Sequence, residues 1–509
     1  MGNKRNEANG DKPKRNKTSG NNERKHSNAT NARRTGNAKS RKAQRSDNGN
    51  RAAGRKPKGH RTTDAGPHNA PQAKKTRRSV GASSTARPNP DSRCAVSHLC
   101  GACQSIDTPY PEQLAAKQQE IIELFDGLAG ESCALHPILG MDDPYHYRNK
   151  VISPFAPGRK LKGAAGAVRG KGKQRNHASR EILCGMYAKG THRIVDTSCC
   201  LLENETAKQV IQAIRQLMPK FGIEPYDEDA GCGFLRHAVV RIGHSSGEVL
   251  VTLVTNGSTF PASKAFCREL TKRVPAITTV VQNVNTRITN VILGDEGERT
   301  LFGPGFILDD LCDLRFRISA HSFYQVNATQ TEVLYQRAID FAELTGNEVV
   351  MDAYCGTGTI GLVAAKGTQG RPGAARVIGV DKVSDAIKDA RNNARHNGIE
   401  NAEFVAEDAG AFMRDFAAKD ASIDVLFMDP PRAGSTPEFL DATCALSPNR
   451  IVYISCGPTT QARDVAYLTK RGYELTDIQA VDMFPHTEHV ECICLLKKTS
   501  STKGQMHHA

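Results

Sequence analysis

Residues 1–90 contain no Leu, Ile, Phe, Tyr or Trp, and Val80 is their single branched aliphatic residue. Such a stretch cannot bury enough apolar surface to offset an ordering cost of about 1–2 kcal/mol per residue, so it is expected to be disordered. A mitochondrial transit peptide is disfavoured for the same reason, because those peptides are amphipathic. Nowhere in the 509 residues is there an apolar run of bilayer length or a secretory h-region. The expectation is a soluble, cytoplasmic chain with no membrane partner. Its 15 cysteines, lacking a secretory signal, argue against a disulfide framework. In a reducing compartment, clustered cysteines are metal-ligating or catalytic candidates.

What is present is charge, unevenly placed. The formal net charge is +15, yet residues 1–90 hold 24 Lys and Arg against 5 Asp and Glu, which leaves −4 for the remainder. A flexible cation suits a polyanion, and RNA is the expected partner. A solvated, solubilising extension is the blander alternative.

Structure is expected from near Arg93. Cys94–Cys103 is a short cysteine-rich loop, and helical spacing over Pro111–Leu128 puts Leu114, Ile121, Ile122, Phe125 and Leu128 on one face. Gly158–Arg175, rich in Gly, Lys and Arg, suggests an exposed basic loop. From Ile182 to Arg317 the runs are short and β-like. Ala238–Ile242 and Val249–Val254 flank a hairpin turn at His244-Ser245-Ser246-Gly247, and Val280–Gln282 and Ile288–Leu293 are expected as further strands. After Ile318 strands alternate with helices, with Ser384 placed to cap one of them, which predicts a doubly wound parallel sheet of the α/β, Rossmann-like class. The expected division is a disordered basic tail (1–92), a cysteine-bearing region with a helix (93–130), a mainly antiparallel β domain that binds RNA (131–317), the doubly wound domain (318–499) and a flexible end (500–509).

Asp352-Ala353-Tyr354-Cys355-Gly356-Thr357-Gly358-Thr359-Ile360-Gly361 contains G-x-G-x-x-G between an expected strand and helix, and Asp381 ends the next strand. Glycines permit close approach of a nucleotide cofactor, and the acid accepts ribose hydrogen bonds. That fits a nicotinamide enzyme as well as a methyltransferase. Three downstream features separate the two. Asp429-Pro430-Pro431-Arg432-Ala433-Gly434 follows a strand at the edge where open α/β sheets bind ligands, and its stiff turn suits a planar base. Cys456 ends the next strand in Ser455-Cys456-Gly457-Pro458, although a buried apolar cysteine is the ordinary alternative there. Glu491 enters the last apolar strand after Phe484-Pro485-His486-Thr487-Glu488-His489-Val490, as either an edge or a site residue.

Together with His321-Ser322-Phe323-Tyr324-Gln325-Val326-Asn327, these segments resemble, over roughly Arg93–Lys498 and in family order, the RNA uracil-5-methyltransferases that make 5-methyluridine in tRNA and 23S ribosomal RNA. The resemblance implies S-adenosylmethionine as cofactor, held by Gln325, Tyr354, Thr359, Asp381, Asp408 and Asp429. It implies Cys456 as nucleophile, Glu491 as base and Asp429 as the group that positions uracil. Cys94, Cys100 and Cys103 resemble the iron–sulfur ligand triplet of the ribosomal-RNA branch. Cys199 and Cys200 follow Val195-Asp196, and spacing favours Cys200 as the fourth ligand. Four thiolates alone suit zinc or an iron–sulfur cluster; the resemblance implies a 4Fe–4S cluster, and with it 23S rRNA over tRNA. Two positions depart from the family: Gly457 stands where Asn is commoner, and Asp381 where Glu is. No segment matches the small N-terminal β-barrel of some members.

C5 of uracil is a poor carbon nucleophile. Thiolate addition at C6 makes an enolate that directs electron density to C5, and loss of the C5 proton then expels the thiolate. A cytosine-5 methyltransferase shares this logic, though the Asp-Pro-Pro-Arg and Phe-Pro-His-Thr contexts favour uracil. A catalytically dead RNA-binding protein or a nicotinamide oxidoreductase would also carry parts of this pattern. Oligomeric state is not legible in the sequence.

Overall fold

Apolar residues that recur every second position in the β-like runs of the sequence, and every third or fourth in the helical ones, build two packed sheets. The computed structural model describes residues 92–161, 180–295, 297–368, 370–419 and 421–499. The expected tail, residues 162–175 of the expected basic loop and the final residues lie outside these. The part of that loop that is described, Gly158–Lys160, is strand rather than loop.

The chain enters through a one-turn helix α1 (Ser97–Cys100) and the longer α2 (Tyr110–Phe125), with Pro111 in its first turn. Strand β1 (Ala134–Leu139) follows. Next come β2 (Lys150–Lys160), β3 (Arg180–Cys184), β4 (Met186–Tyr187), β5 (Ile194–Val195), α3 (Glu205–Leu217), β6 (Leu235–Ile242), β7 (Val249–Thr255), α4 (Ser263–Arg273), β8 (Ile277–Val284) and β9 (Glu298–Phe302). Six of these strands form one sheet in the order β3-β2-β6-β7-β8-β9. Its pairings are antiparallel except β7 with β8, which α4 links as a crossover. The expected hairpin is β6–β7. Val210, Ile214 and Leu217 of α3 and Phe266 and Leu270 of α4 pack on Ala238, Val240, Val251 and Leu253 of the sheet.

Ile288–Leu293, expected as a strand, is not one. Ile288 is exposed, and the Asn285 amide donates to the carbonyls of Val291 and Ile292 at 2.8 and 3.0 Å, satisfying locally what a neighbouring strand would otherwise bond.

Strands β10 (Ile307–Leu311) and β11 (Leu314–Ile318) form a tight hairpin through Cys312 and Asp313, both with positive φ. The expected boundary at 317 assigned this hairpin to the β domain. Its Ile307, Leu311, Leu314, Phe316 and Ile318 instead join the core beneath the second sheet.

The remaining elements are α5 (Ala328–Ala342), β12 (Val349–Ala353), α6 (Thr359–Lys366), β13 (Gly367–Thr368), β14 (Arg371–Pro372), β15 (Arg376–Asp381), α7 (Ser384–His396), β16 (Ala402–Ala406), α8 (Ala409–Ala417), β17 (Val425–Met428), α9 (Pro437–Leu446), β18 (Arg450–Ser455), α10 (Pro458–Thr469), β19 (Tyr473–Val481) and β20 (Glu491–Lys498). Ser384 is the first helical residue of α7 rather than its cap, and Val383 occupies the capping position without a side-chain bond.

The second sheet has the order β1-β19-β20-β18-β17-β12-β15-β16. The strands from β18 to β16 run parallel, and β20 lies antiparallel between β18 and β19. Strand β1 pairs with β19, so residues 134–139 belong to this sheet and not to the central region where they were expected. Side chains alternate across the sheet: Val425, Phe427, Val452 and Ile454 face α5, α6 and α7, while Leu426, Met428, Ile451 and Tyr453 face α2, α8, α9 and α10. That is the doubly wound α/β arrangement. Both sheets lie within one compact unit, Ala82–Ala509. No helix among the described residues is long and apolar enough to cross a membrane.

Candidate active site

Parallel strands deliver their C-terminal residues to one edge of a sheet. Here that edge receives Ala353, Asp381, Ala406, Met428 and Ser455. Strand β20 is antiparallel to β18, pairing Cys492 with Ser455, so its first residue, Glu491, arrives at the same edge. A cavity of about 630 Å³ opens there. It is lined by all eight residues expected for catalysis and cofactor binding: Gln325, Tyr354, Thr359, Asp381, Asp408, Asp429, Cys456 and Glu491.

At one end the backbone is shaped for close approach. Tyr354, Gly356 and Gly358 have φ of 64°, 54° and 78°. A Cβ at Gly358 would lie 2.7 Å from the Phe404 ring, and one at Gly361 would lie 2.8 Å from the Asp352 carboxyl. Asp352, missed in the sequence reading, accepts a 2.8 Å hydrogen bond from the Gly361 amide, and burial pushes its carboxyl up to about 8. Asp381 accepts from the amides of Gly356 (3.0 Å) and Val383 (2.8 Å), so the shorter acid braces the glycine turn. Asp408 caps α8 by accepting from the Ala411 amide at 3.0 Å. The Thr359 hydroxyl lies 2.9 Å from that of Tyr335, and the Tyr354 ring packs on Phe439 with centroids 4.9 Å apart. The Gln325 carbonyl is held by the Asn149 amide at 3.1 Å. A glycine turn closed to side chains at Gly358 and Gly361 and of positive φ at Gly356, with acids at successive strand ends, fits the nucleoside and amino-acid parts of S-adenosylmethionine.

At the other end stand three groups that burial shifts toward their protonated forms. Burial pushes the Asp429 carboxyl up to about 7. Burial, and then Asp429, push Glu491 well above the carboxylate range, with Arg432 opposing. Burial and the Glu491 charge raise the Cys456 thiol, while a hydrogen bond from Arg432 lowers it. Gly457 follows Cys456, and a Cβ there would lie 3.0 Å from the Arg432 carbonyl, so a larger residue would displace the Asp-Pro-Pro-Arg turn.

The loop leading into Glu491 is held from α2. Lys117 Nζ donates to Asp482 Oδ1 (2.7 Å), the His489 carbonyl (2.9 Å) and the Phe484 carbonyl (3.2 Å). Gln113 Oε1 accepts from the His486 amide at 3.0 Å, and His486 has φ of 66°. These polar residues were missed because the helical reading counted only apolar positions. Lys150, Phe323 and Arg432 also line the cavity. Lys150 has the basic neighbour Arg148 as its signal in the sequence.

Cys94, Cys100, Cys103 and Cys200 line a second cavity of about 230 Å³. Cys199 is exposed and does not line it. Burial raises the thiols of Cys100 and Cys200 and pushes Cys103 up to about 12. Among the described residues, no three His, Cys, Asp or Glu side chains are grouped closely enough to hold a metal ion.

Residues 307–499 match the family model described as tRNA (Uracil-5-)-methyltransferase. An uncharacterised RNA methyltransferase of Bacillus cereus is 38% identical over 408 residues, covering 80% of this chain and 83% of the relative. A second, from Halalkalibacterium halodurans, is 39% identical over 405 residues, 79% of this chain and 82% of the relative. Among solved structures, the Pyrococcus abyssi tRNA (uracil-54, C5)-methyltransferase in complex with S-adenosyl-L-homocysteine is 26% identical with a TM-score of 0.59, covering 81% of this chain and 87% of that one. The chain belongs to the S-adenosylmethionine-dependent RNA uracil-5-methyltransferase family.

Proposed function

We propose that this enzyme methylates a uridine at C5 through a covalent bond between Cys456 Sγ and C6, and that the uridine lies in 23S ribosomal RNA. The observation that carries the chemistry is the meeting of Cys456, Asp429 and Glu491 in one cavity, which the antiparallel insertion of β20 brings about.

S-Adenosylmethionine, when bound, supplies a methyl group on a positively charged sulfur, and that charge favours the ionised forms of nearby carboxyls. Gln325, Tyr354, Thr359, Asp381, Asp408 and Asp429 would hold it. Asp429 hydrogen-bonds the uracil edge. Cys456 adds as thiolate to C6, and the C5–C6 double-bond electrons pass to the carbonyl oxygen at C4 as an enolate. Their return through C5 forms the new carbon–carbon bond as the donor's methyl–sulfur bond breaks and its electron pair stays on the sulfur. Glu491 removes the C5 proton, the double bond re-forms, and the Cys456–C6 bond breaks. The uridine must leave its stack to reach Cys456, at a cost of about a few kcal/mol. Arg432, a fixed cation, steadies the thiolate and favours the ionised Glu491 that takes the C5 proton.

The choice of ribosomal RNA rests on the four cysteines. Zinc would need its sulfurs within about 2.3 Å of one point. The four thiols border one cavity of about 230 Å³, and on the family resemblance we assign a 4Fe–4S cluster to Cys94, Cys100, Cys103 and Cys200. The Pyrococcus abyssi likeness favours a second reading, tRNA uridine. Mapping 5-methyluridine in both RNAs, with and without the gene, decides between them.

The chemistry is tested with two variants. Cys456→Ala should form no 5-methyluridine, and retained product would overturn the nucleophile. Glu491→Gln should accumulate a denaturation-resistant protein–RNA adduct, because elimination stops after methyl transfer. A variant that turns over normally removes Glu491 from the mechanism.

A further inference from the structure

The central sheet carries a cavity of about 720 Å³ that the methylation chemistry does not use. Its walls include Ile152 and Pro154 of β2, Tyr187 of β4, and Glu228, His237 and Asn290. His237 is only 5% exposed, and its Nδ1 has no hydrogen-bond partner. Burial pushes the imidazole down to about 4, so at neutral pH it is uncharged and offers one donor and one acceptor nitrogen. The half-buried Tyr187 ring meets it edge-on, with centroids 6.3 Å apart. Glu228, paired with Arg236 at 3.4 Å, puts an acceptor on the wall and disfavours a phosphate inside. Exposed Lys189 and His192 stand at the rim, where a backbone phosphate could be met.

Strand β2 lines this cavity at one point and the active site at another. Lys150 lines both the methylation cavity and the cysteine cavity; Ile152 lines the cysteine cavity and this one; Pro154 lines this one. Alternate residues of a strand share a face, so one side of β2 runs past all three, about 13 Å from Lys150 to Pro154. A few nucleotides of single-stranded RNA span that distance.

We infer that this pocket of β2, β4 and His237 receives a second unstacked base of the substrate RNA, a few nucleotides from the target uridine. A flat aromatic face, a neutral imidazole and a carboxylate acceptor match the face and edge of a nucleobase, and the Lys189 ammonium at the rim matches its phosphate. The pocket thereby splays the strand and helps hold the target out of its stack. This inference rests on the reading of the enzyme as an RNA methyltransferase.

The test uses the full enzyme with an RNA that it methylates. Tyr187→Ala removes the stacking face. Asn290→Trp fills the pocket from an exposed loop position and places no demand on folding. Both should raise KM for the RNA about tenfold, leave kcat within about twofold, and leave S-adenosylmethionine affinity unchanged. A scan of abasic nucleotides flanking the target should find one position that weakens the unaltered enzyme comparably and adds nothing in Tyr187→Ala. KM within twofold for both variants, or an abasic penalty that persists in full in Tyr187→Ala, overturns the pocket while leaving the methylation reading intact. No methylation by the unaltered enzyme overturns both.

Discussion

Asp352, Asp429, Glu491 and Cys456 are all held toward their neutral forms by burial, which has consequences for both binding and stability. A carboxyl raised from about 3.9 in the unfolded chain keeps its proton in the folded one between that value and the folded one. Over that window the unfolded chain binds fewer protons, so stability falls as pH rises through about 4 to 8. The cofactor-free enzyme is therefore expected to melt at a lower temperature at pH 8 than at pH 5.5, and Asp429→Asn should flatten that slope; an equal slope in the variant would remove Asp429 from this account. The cationic sulfonium favours the ionised carboxyls, so S-adenosylmethionine should bind more tightly at pH 8 than at pH 6, while neutral S-adenosylhomocysteine should change far less. Calorimetry at the two pH values checks this. At this scale the sequence was informative where chemistry demands a residue type, as at Cys456, Asp429 and Glu491. It was silent where a residue matters through depth alone: Asp352 sits in the same motif as the glycines, and only its burial reveals it.

Among the elements, α2 shows how a helix can be read correctly and its role missed. The periodicity of Leu114, Ile121, Ile122, Phe125 and Leu128 located it to within a few residues, yet its buried stripe is Gln113, Lys117, Ile121 and Phe125, with Ile122 40% exposed. Polar side chains are buried because the loop between β19 and β20 turns through His486 without a strand partner, and its carbonyls and amides need bonds from outside. Lys117→Met should strip the Phe484 and His489 carbonyls of their Lys117 bonds and leave the buried Asp482 without its cation, bonded only by the Tyr110 hydroxyl at 2.8 Å, at a cost of about 3–5 kcal/mol. Urea unfolding measures the loss, and kcat should fall with it because Glu491 follows the loop directly. Full stability in Lys117→Met would show the clamp to be dispensable. The strand expected at Ile288–Leu293 failed for a related reason, since Asn285 supplies there the bonds that a ladder would have supplied.

For the molecule as a whole, the charge distribution separates two tasks. The described body carries the chemistry, and the +19 of residues 1–90 lies outside it in sequence. Removal of residues 1–90 should leave S-adenosylmethionine binding and thermal unfolding unchanged while weakening RNA binding and reducing the steepness of its salt dependence, as fewer counterions are released. Titrations between 50 and 200 mM salt would show this, and an unchanged slope would make the segment a solubilising extension only. The architecture was legible from strand–helix alternation, but its boundaries were not: β1 and the β10–β11 hairpin pack with residues far along the chain, and such pairings leave no local signature.

Strand β20 is threaded between β18 and β19, so Cys456 and Glu491 meet at one sheet edge although one is made early and the other late. Synthesis passes Cys456 35 residues before it reaches Glu491, and the strand that fixes both is the last of the described elements to be made. A chain stalled in between has Cys456 but no complete sheet edge, and so not yet the cavity that gathers Cys456, Asp429 and Glu491.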